Sequence, residues 1–234
     1  MSVNVVILAA GQGKRMQSAL PKVLQPLAGA PLLTHVLAAA RALQPARICV
    51  VYGHGGEQVP EAMRAADLSF VRQEPQLGTG HAVKQALSEL DARKSTLVLY
   101  GDVPLIAPAT LETLCAGSGE RLRILTAEVG EPRGYGRIVR NAKGAITAIV
   151  EEKDATAKQR RIREINTGIM LLPGRHLGGW LDRLSNKNAQ REYYLTDVVA
   201  LAVKDRVKIE SCAPDDPSEI LGVNSMRQLA ELER

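Results

Sequence analysis

Apolar residues in this chain fall into short unbroken runs, and the stretches between those runs repeat their apolar positions every three or four residues. The first run, Val5, Val6, Ile7, Leu8, Ala9 and Ala10, reads as a strand covered on both faces, the kind found in parallel sheets flanked by helices. Leu33, Val36, Leu37, Ala40 and Leu43 give residues 31–44 a helical face, and residues 47–52 then read as the next buried strand. Residues 81–87 read as a further helix and residues 96–100 as a further strand. This alternation predicts an α/β fold built on a mostly parallel, doubly wound sheet.

Beyond about residue 120 the rhythm changes. Residues 122–129, 137–139 and 145–150 are strand-like, with a turn at residues 141–144, and antiparallel pairing is expected there. Residues 194–204 carry Leu195, Val198, Val199, Leu201 and Ala202 on a helical face, and residues 206–211 resemble a short strand. No repeat or low-complexity linker divides the chain. It therefore reads as one unit, residues 1–234, with a first half over about 1–120 and a second half over about 121–234 that closes over it.

Composition narrows this picture. Hydrophobic residues make up 45% of the 234 positions and aromatics only 3%, so an aliphatic core of good size is expected. The net charge of +5 comes from 30 basic and 25 acidic residues spread along the chain. The one basic cluster, at residues 158–163, lacks interleaved aromatics and follows Glu151, Glu152 and Asp154; it reads as a solvated helix face, not a nucleic-acid surface. Cys49, Cys115 and Cys212 are widely spaced, with no Cys-x-x-Cys and no even count to suggest a disulfide framework, and are expected to be reduced and structural. No apolar run approaches membrane-spanning length, and the N-terminus lacks an export pattern, so the expected location is cytoplasmic.

Candidate chemistry begins directly after the first strand. Gly11 and Gly13 allow close backbone approach to phosphate oxygens, and Arg15 and Lys22 add positive charge. The spacing matches neither a Walker loop nor a dinucleotide fingerprint. Gly78 and Thr79 stand in a second Gly-rich turn before a helix, with Gln73 upstream able to donate to and accept from a pyrimidine edge. Asp102 follows the strand at 96–100, and Pro104 forces the chain away from the sheet, so a hard carboxylate is left at the ligand-binding rim, suited to Mg²⁺. Gly134 to Arg137, Glu151 and Asn166 to Gly168 offer the mixed donors and acceptors that a sugar needs. Asn224 can complete a metal site with Asp102 only if the fold returns it there. His35 is placed in a helix, His54 in a Gly-rich loop, His81 at a helix start and His176 in a loop. No pair of them has metal-ligand spacing, and no nucleophile elbow is present.

Taken in order, Leu8 to Met16, Pro21-Lys22, Gln73, Leu77 to Ala82, Tyr100 to Leu105, Gly134 to Ile138, Glu151, Asn166 to Gly168, residues 188–194 and Gly222 to Asn224 resemble one family over essentially the whole chain. It is the uridylyltransferase domain of the bifunctional N-acetylglucosamine-1-phosphate uridylyltransferase/glucosamine-1-phosphate acetyltransferases. The resemblance implies a Rossmann-like pyrophosphorylase fold that makes UDP-N-acetylglucosamine and pyrophosphate from UTP and N-acetylglucosamine 1-phosphate, for cell-wall and lipopolysaccharide precursors. It also implies residue roles: Leu8, Ala9, Ala10, Gly11, Gln73, Gly78 and Thr79 on the uridine nucleotide; Tyr100, Gly101, Gly136, Glu151 and Asn166 on the sugar nucleotide. Asp102 and Asn224 would hold Mg²⁺, and Arg15 and Lys22 would face the triphosphate. Lys14 replaces a frequent Thr, and Arg191 a usual Gly. The family's hexapeptide β-helix is absent from this sequence, so acetyl transfer and the trimer attributed to that domain are not expected, and a monomer is. Another sugar- or alditol-phosphate nucleotidylyltransferase, or a non-catalytic nucleotide-sugar sensor, is the alternative.

Overall fold

The first strand, β1 (Asn4–Ala9), has all six residues buried, because strands pair with both its edges and helices cover both its faces. The computed structural model describes residues 2–11, 13–53, 55–117 and 119–233, with Lys14 described by its backbone alone. Gln12 and His54, which belong to two of the loops singled out in the sequence, lie outside the described residues.

After β1 come a small ribbon, β2 (Pro26–Leu27) and β3 (Ala30–Pro31), then α1 (Leu32–Ala42), β4 (Arg47–Tyr52), α2 (Gln58–Ala62) and β5 (Leu68–Arg72). Next are α3 (Thr79–Gln85), β6 (Thr96–Tyr100), α4 (Pro108–Cys115), β7 (Leu122–Glu128), β8 (Gly136–Arg140) and β9 (Ile146–Val150). The chain closes with β10 (Glu164–Leu172), α5 (Gly174–Asp182), α6 (Val198–Lys204), β11 (Ile209–Cys212) and α7 (Met226–Leu232). Nine strands among the described residues form one sheet in the order β11-β7-β10-β6-β1-β4-β5, with the β8–β9 hairpin attached to β10.

The side-chain alternation of β1 divides the core. Val5 and Ile7 join Leu97 and Leu99 in packing against Leu33, Val36 and Leu37 of α1 and Leu111 and Leu114 of α4. Val6 and Leu8 point the other way, into a cluster with Val83 of α3, Trp180 and Leu181 of α5 and Val198 and Val199 of α6. Fully burying each such aliphatic side chain stabilises by about 1.5–3 kcal/mol, which is why continuous apolar runs give central strands here.

The pairs β1–β4, β1–β6 and β4–β5 are parallel, as the alternating pattern predicts. The pair β7–β11 is parallel too, against the antiparallel pairing expected beyond residue 120, because the chain crosses over through α6 before β11 joins β7 at the edge of the sheet. In the later part of the chain β10 runs antiparallel to β6, β7 and β8, and β8 to β9. Three local expectations change. The basic cluster at 158–163 forms no helix face: only Gln159–Arg161 coil into a 3-10 turn, with no buried residue to anchor anything longer. His176 lies inside α5, not in a loop, its ring stacked on Trp180 with centroids 5.1 Å apart. The helix expected over 194–204 begins as a 3-10 turn, Leu195–Asp197, before α6. No helix among the described residues is long and apolar enough to cross a membrane.

Candidate active site

Parallel strands gather their carboxyl ends at one edge of the sheet, and the sequence-selected residues lie there. Leu8 is in register with Tyr100, and Ala9 with Tyr52. The Gly101 N–H donates to the Leu8 carbonyl at 3.0 Å and the Gln73 N–H to the Tyr52 carbonyl at 2.8 Å. These bonds place the first loop, Gln73 and the Tyr100 to Asp102 turn side by side. They border a cavity of about 540 Å³. Leu8, Ala9, Ala10, Gly11 and Lys22 line it on one side, and Gln73, Gly78, Thr79, Tyr100 and Asp102 line it too; of the other expected residues, Arg15, Gly101, Gly136, Glu151, Asn166 and Asn224 do not. A larger hollow, about 770 Å³, lies near Arg47 and Ser69, where β4 and β5 begin. It is not continuous with these groups, and ligands of such sheets bind at the carboxyl ends.

At the base of the cavity the Lys22 ammonium donates to Asp102 Oδ2 and, at 3.2 Å, to Asn224 Oδ1. The Lys22 and Asp102 side chains are only 11% and 15% exposed. The Asn224 oxygen arrives because the Val223 N–H donates to the Asp102 carbonyl at 2.8 Å. Two hard oxygens thus converge on a point that already accepts a positive charge. This donor set suits a divalent cation that draws its remaining ligands from phosphate and water. No cluster of three or more His, Cys, Asp or Glu side chains with metal-binding geometry exists among the described residues.

The second Gly-rich turn forms another wall. Gly78 has φ +104°, and a Cβ there would lie 2.8 Å from the Tyr193 carbonyl oxygen and from Glu192 Cβ, so only glycine lets the turn dock. The Tyr193 N–H donates to the Leu77 carbonyl at 2.8 Å, and the Leu195 N–H to Thr79 Oγ1 at 3.0 Å. Gln73, 3% exposed, donates from Nε2 to the Gly78 carbonyl at 2.9 Å and lies 3.1 Å from His81 Nδ1. Burial, reinforced by Lys84, pushes the His81 pKa down, so the ring bracing this amide is neutral at pH 7.

Beyond Tyr100 lies a second group of the expected residues, none of which lines the cavity itself. Tyr100 is next to Gly168, and Gly136 sits beneath Glu151: an added Cβ there would be 3.3 Å from Glu151 Oε1. Asn166 pairs with Gly136 across β10 and β8, and its Oδ1 accepts from the Gly168 N–H at 3.1 Å. Glu151 Oε1 accepts from Thr196 Oγ1 at 2.9 Å. Burial raises the Glu151 pKa and Asp197 and Asp154 raise it further, whereas the Thr196 hydroxyl and Arg137 oppose them. Burial likewise raises the Tyr100 phenol, aided by the charges of Glu151 and Asp102, so it remains a neutral donor.

Gly101 is buried behind the site against Val23. Arg15 is exposed on the 3-10 turn Lys14–Met16 and does not border the cavity. The cavity also takes in Gln76 and Glu192, neither of which received a role from the sequence. Gln76 Nε2 donates to the Ala10 carbonyl and ties the two loops together. A polar residue three positions after Gln73 was the available signal; Glu192 had none besides its place in a matching motif.

The family model for MobA-like NTP transferase domains matches residues 5–167. The chain is 62% identical over 233 residues to the bifunctional protein GlmU of Janthinobacterium sp. (strain Marseille), and 61% identical over 233 residues to that of Azoarcus sp. (strain BH72). Each match covers 99% of this chain but 51% and 52% of the relative, so the chain spans about half the length of the curated relatives it matches. A solved UDP-glucose pyrophosphorylase in complex with UDP-glucose superposes with a TM-score of 0.79 at 17% identity, covering 100% of this chain and 97% of that one. A nucleotidyl transferase from Methanothermobacter thermautotroptrophicus does so with a TM-score of 0.70 at 21% identity, covering 99% and 96%. These two likenesses agree with the mixed, mainly parallel sheet. With the family match spanning most of the chain and the glycine-lined cavity at the sheet's carboxyl edge, the chain belongs to the MobA-like NTP transferase domain family.

Proposed function

We propose that this chain joins UTP to N-acetylglucosamine 1-phosphate, releasing pyrophosphate and forming UDP-N-acetylglucosamine, as the uridylyltransferase resemblance implies. The observation that carries this reading is the meeting of Lys22, Asp102 and Asn224, residues separated by 80 and 202 positions from Lys22, at the foot of a cavity walled by Gly-rich turns. The first half of the chain takes the nucleotide, with Gln73, Gly78 and Thr79 at the base and Leu8 to Gly11 along the phosphates. The second half takes the sugar through Gly136, Glu151 and Asn166, with Tyr100 between the two.

A phosphate oxygen of the sugar phosphate attacks the α-phosphorus of UTP in line. The new O–P bond forms as the bond from the α-phosphorus to the bridging oxygen breaks, and that electron pair leaves with pyrophosphate. No general base is required, since the nucleophile is already anionic at neutral pH. The barrier lies in bringing like charges together: one unit-charge pair at ~4 Å repels by about 4 kcal/mol at an effective dielectric near 20. Lys22 offsets that repulsion and stabilises charge developing on the leaving group. A divalent cation held by Asp102 and Asn224, Mg²⁺ in this reading, supplies further charge neutralisation at the phosphates when bound. Arg15, exposed outside the cavity wall, adds positive charge on the triphosphate side without lining the site. The reactants are water-soluble, and the proposed setting is the cytoplasm.

The test is pyrophosphate release from UTP, Mg²⁺ and N-acetylglucosamine 1-phosphate, with CTP and other sugar or alditol phosphates in parallel. Release confined to the first pair is expected. Release only with another pair overturns the substrates and keeps the chemistry, and binding of UDP-N-acetylglucosamine without release under any condition makes the chain a sensor.

A further inference from the structure

The cation site is assembled from two distant pieces of chain, and two polar ties hold them together. One is the bond from the Val223 N–H to the Asp102 carbonyl. The other lies farther along the same two pieces: Glu219 Oε2 accepts from the Ala107 N–H at 2.9 Å, across 112 positions. Glu219 is only 7% exposed. Ala107 stands at the N-cap of α4 and brings no side-chain acceptor of its own, and Pro108 follows it. Ile220 packs in the same core as Val103 and Ile106, between the two ties.

A carboxylate is rarely kept this deep without a partner, and the helix terminus favours negative charge. The consequence for the site is geometric. Asp102 precedes Ala107 by one short loop, and Asn224 follows Glu219 by another. With both ties present, the two loops are pinned at each end, and the Asp102 carboxylate and the Asn224 amide oxygen keep a set separation. With the Glu219 tie gone, the segment leading to Asn224 keeps the Val223 bond and the packing of Ile220 and Val223 but loses the polar anchor that fixes its far end.

We infer that Glu219 is a positioning residue for the cation site: by gripping the Ala107 N–H it sets the placement of Asn224 against Asp102, and so the affinity for a divalent cation. This rests on the reading of Asp102 and Asn224 as the residues that hold the cation. The residues touching the cation are unchanged by it; Glu219 acts through the loop.

The test is Mn²⁺ titration followed by electron paramagnetic resonance, with saturating UDP-N-acetylglucosamine to supply the phosphate ligands and no turnover, on the full chain and on Glu219→Asp, Glu219→Gln and Glu219→Ala. Shortening the side chain to Asp keeps charge and burial but withdraws the acceptor, and its Mn²⁺ Kd is expected to rise about tenfold, the low end of what losing a direct partner of a ligand costs, since Glu219 acts one step farther out. Glu219→Ala is expected to do the same or more, while Glu219→Gln, which retains an acceptor oxygen, stays within about threefold. Turnover of Glu219→Asp then recovers at high Mg²⁺ with kcat near that of the parent, a rescue that general loosening of the fold would not give. A folded Glu219→Asp that binds Mn²⁺ as tightly as the parent overturns the inference. Asp102→Asn distinguishes the failures: equal Mn²⁺ binding by it and the parent overturns the cation reading itself, and the inference with it.

Discussion

Lys22 supplies the positive charge nearest the proposed reaction centre, and its two oxygen partners fix its direction. Replacement by Ala is expected to lower kcat by about 10²-fold or more, the usual cost of losing a preorganised charge, with circular dichroism unchanged. Turnover within a few fold of the parent would remove Lys22 from the mechanism. Glu151 presents the opposite case, a group whose ionisation opposes folding. Its folded pKa is raised, first by burial, so the ionised side chain costs stability that is not lost below the ordinary glutamate pKa of about 4.3 and is fully lost above the folded pKa. Glu151→Gln keeps an acceptor for Thr196, and its melting temperature should exceed the parent's at pH 7 to 8, with the gap closing as pH falls toward 4. A constant gap across that range would contradict the burial argument. Arg191 has φ +59°, a left-handed conformation costly for a side chain bearing a Cβ. Arg191→Gly, the residue usual in the resembling family, should raise stability by up to about 1 kcal/mol after the extra unfolded-state entropy of glycine, read from the urea midpoint; a fall of that size would show that the Arg191 side chain supports the loop.

Among the elements, β10 decides the most. It runs antiparallel to β6, with Leu172 opposite Thr96 and Met170 opposite Val98, so its opening residues reach the edge where the parallel strands end. That reversal carries Asn166 and Gly168 to Tyr100. The register shifts between Asn166 and Met170, and Gly168 sits in the irregular stretch at φ +90°, where a Cβ would come 2.5 Å from the Tyr100 ring. Gly168→Ala should therefore destabilise the protein by about 1–3 kcal/mol through overpacking and weaken sugar-phosphate binding more than UTP binding, measured as separate KM values. Unchanged KM values for both would detach this stretch from the site. The strands at 47–52 and 96–100 were legible at their full lengths because each is a run of aliphatics with one stable placement, the sheet centre. The 158–163 cluster misled for the converse reason: charge at helical spacing stabilises a helix only weakly, and nothing buried holds those residues to one. His176 was misplaced because the helical signal of α5 rests on Leu177, Trp180 and Leu181 among interrupting glycines.

For the whole molecule, the expected signature is separation of chemistry from folding. Asp102 sits past the end of β6 in a turn, and its side chain braces no strand, so Asp102→Ala should abolish most pyrophosphate release while leaving the far-ultraviolet spectrum intact. Loss of the fold would make it a structural cap instead. Sequence alone determined the alternating α/β layers, the aliphatic core, the two Gly-rich turns and the identity of the strand-end groups, since each depends on neighbours within a few residues and on burial that periodicity encodes. The union of Lys22, Asp102 and Asn224, the docking of Glu192 and Tyr193 on Gly78, and the support of Glu151 by Thr196 and Gly136 were decided by tertiary structure. Those contacts join residues that no spacing relates; they exist because parallel strands, one antiparallel return and the covering helices bring distant loops to the same edge of one sheet.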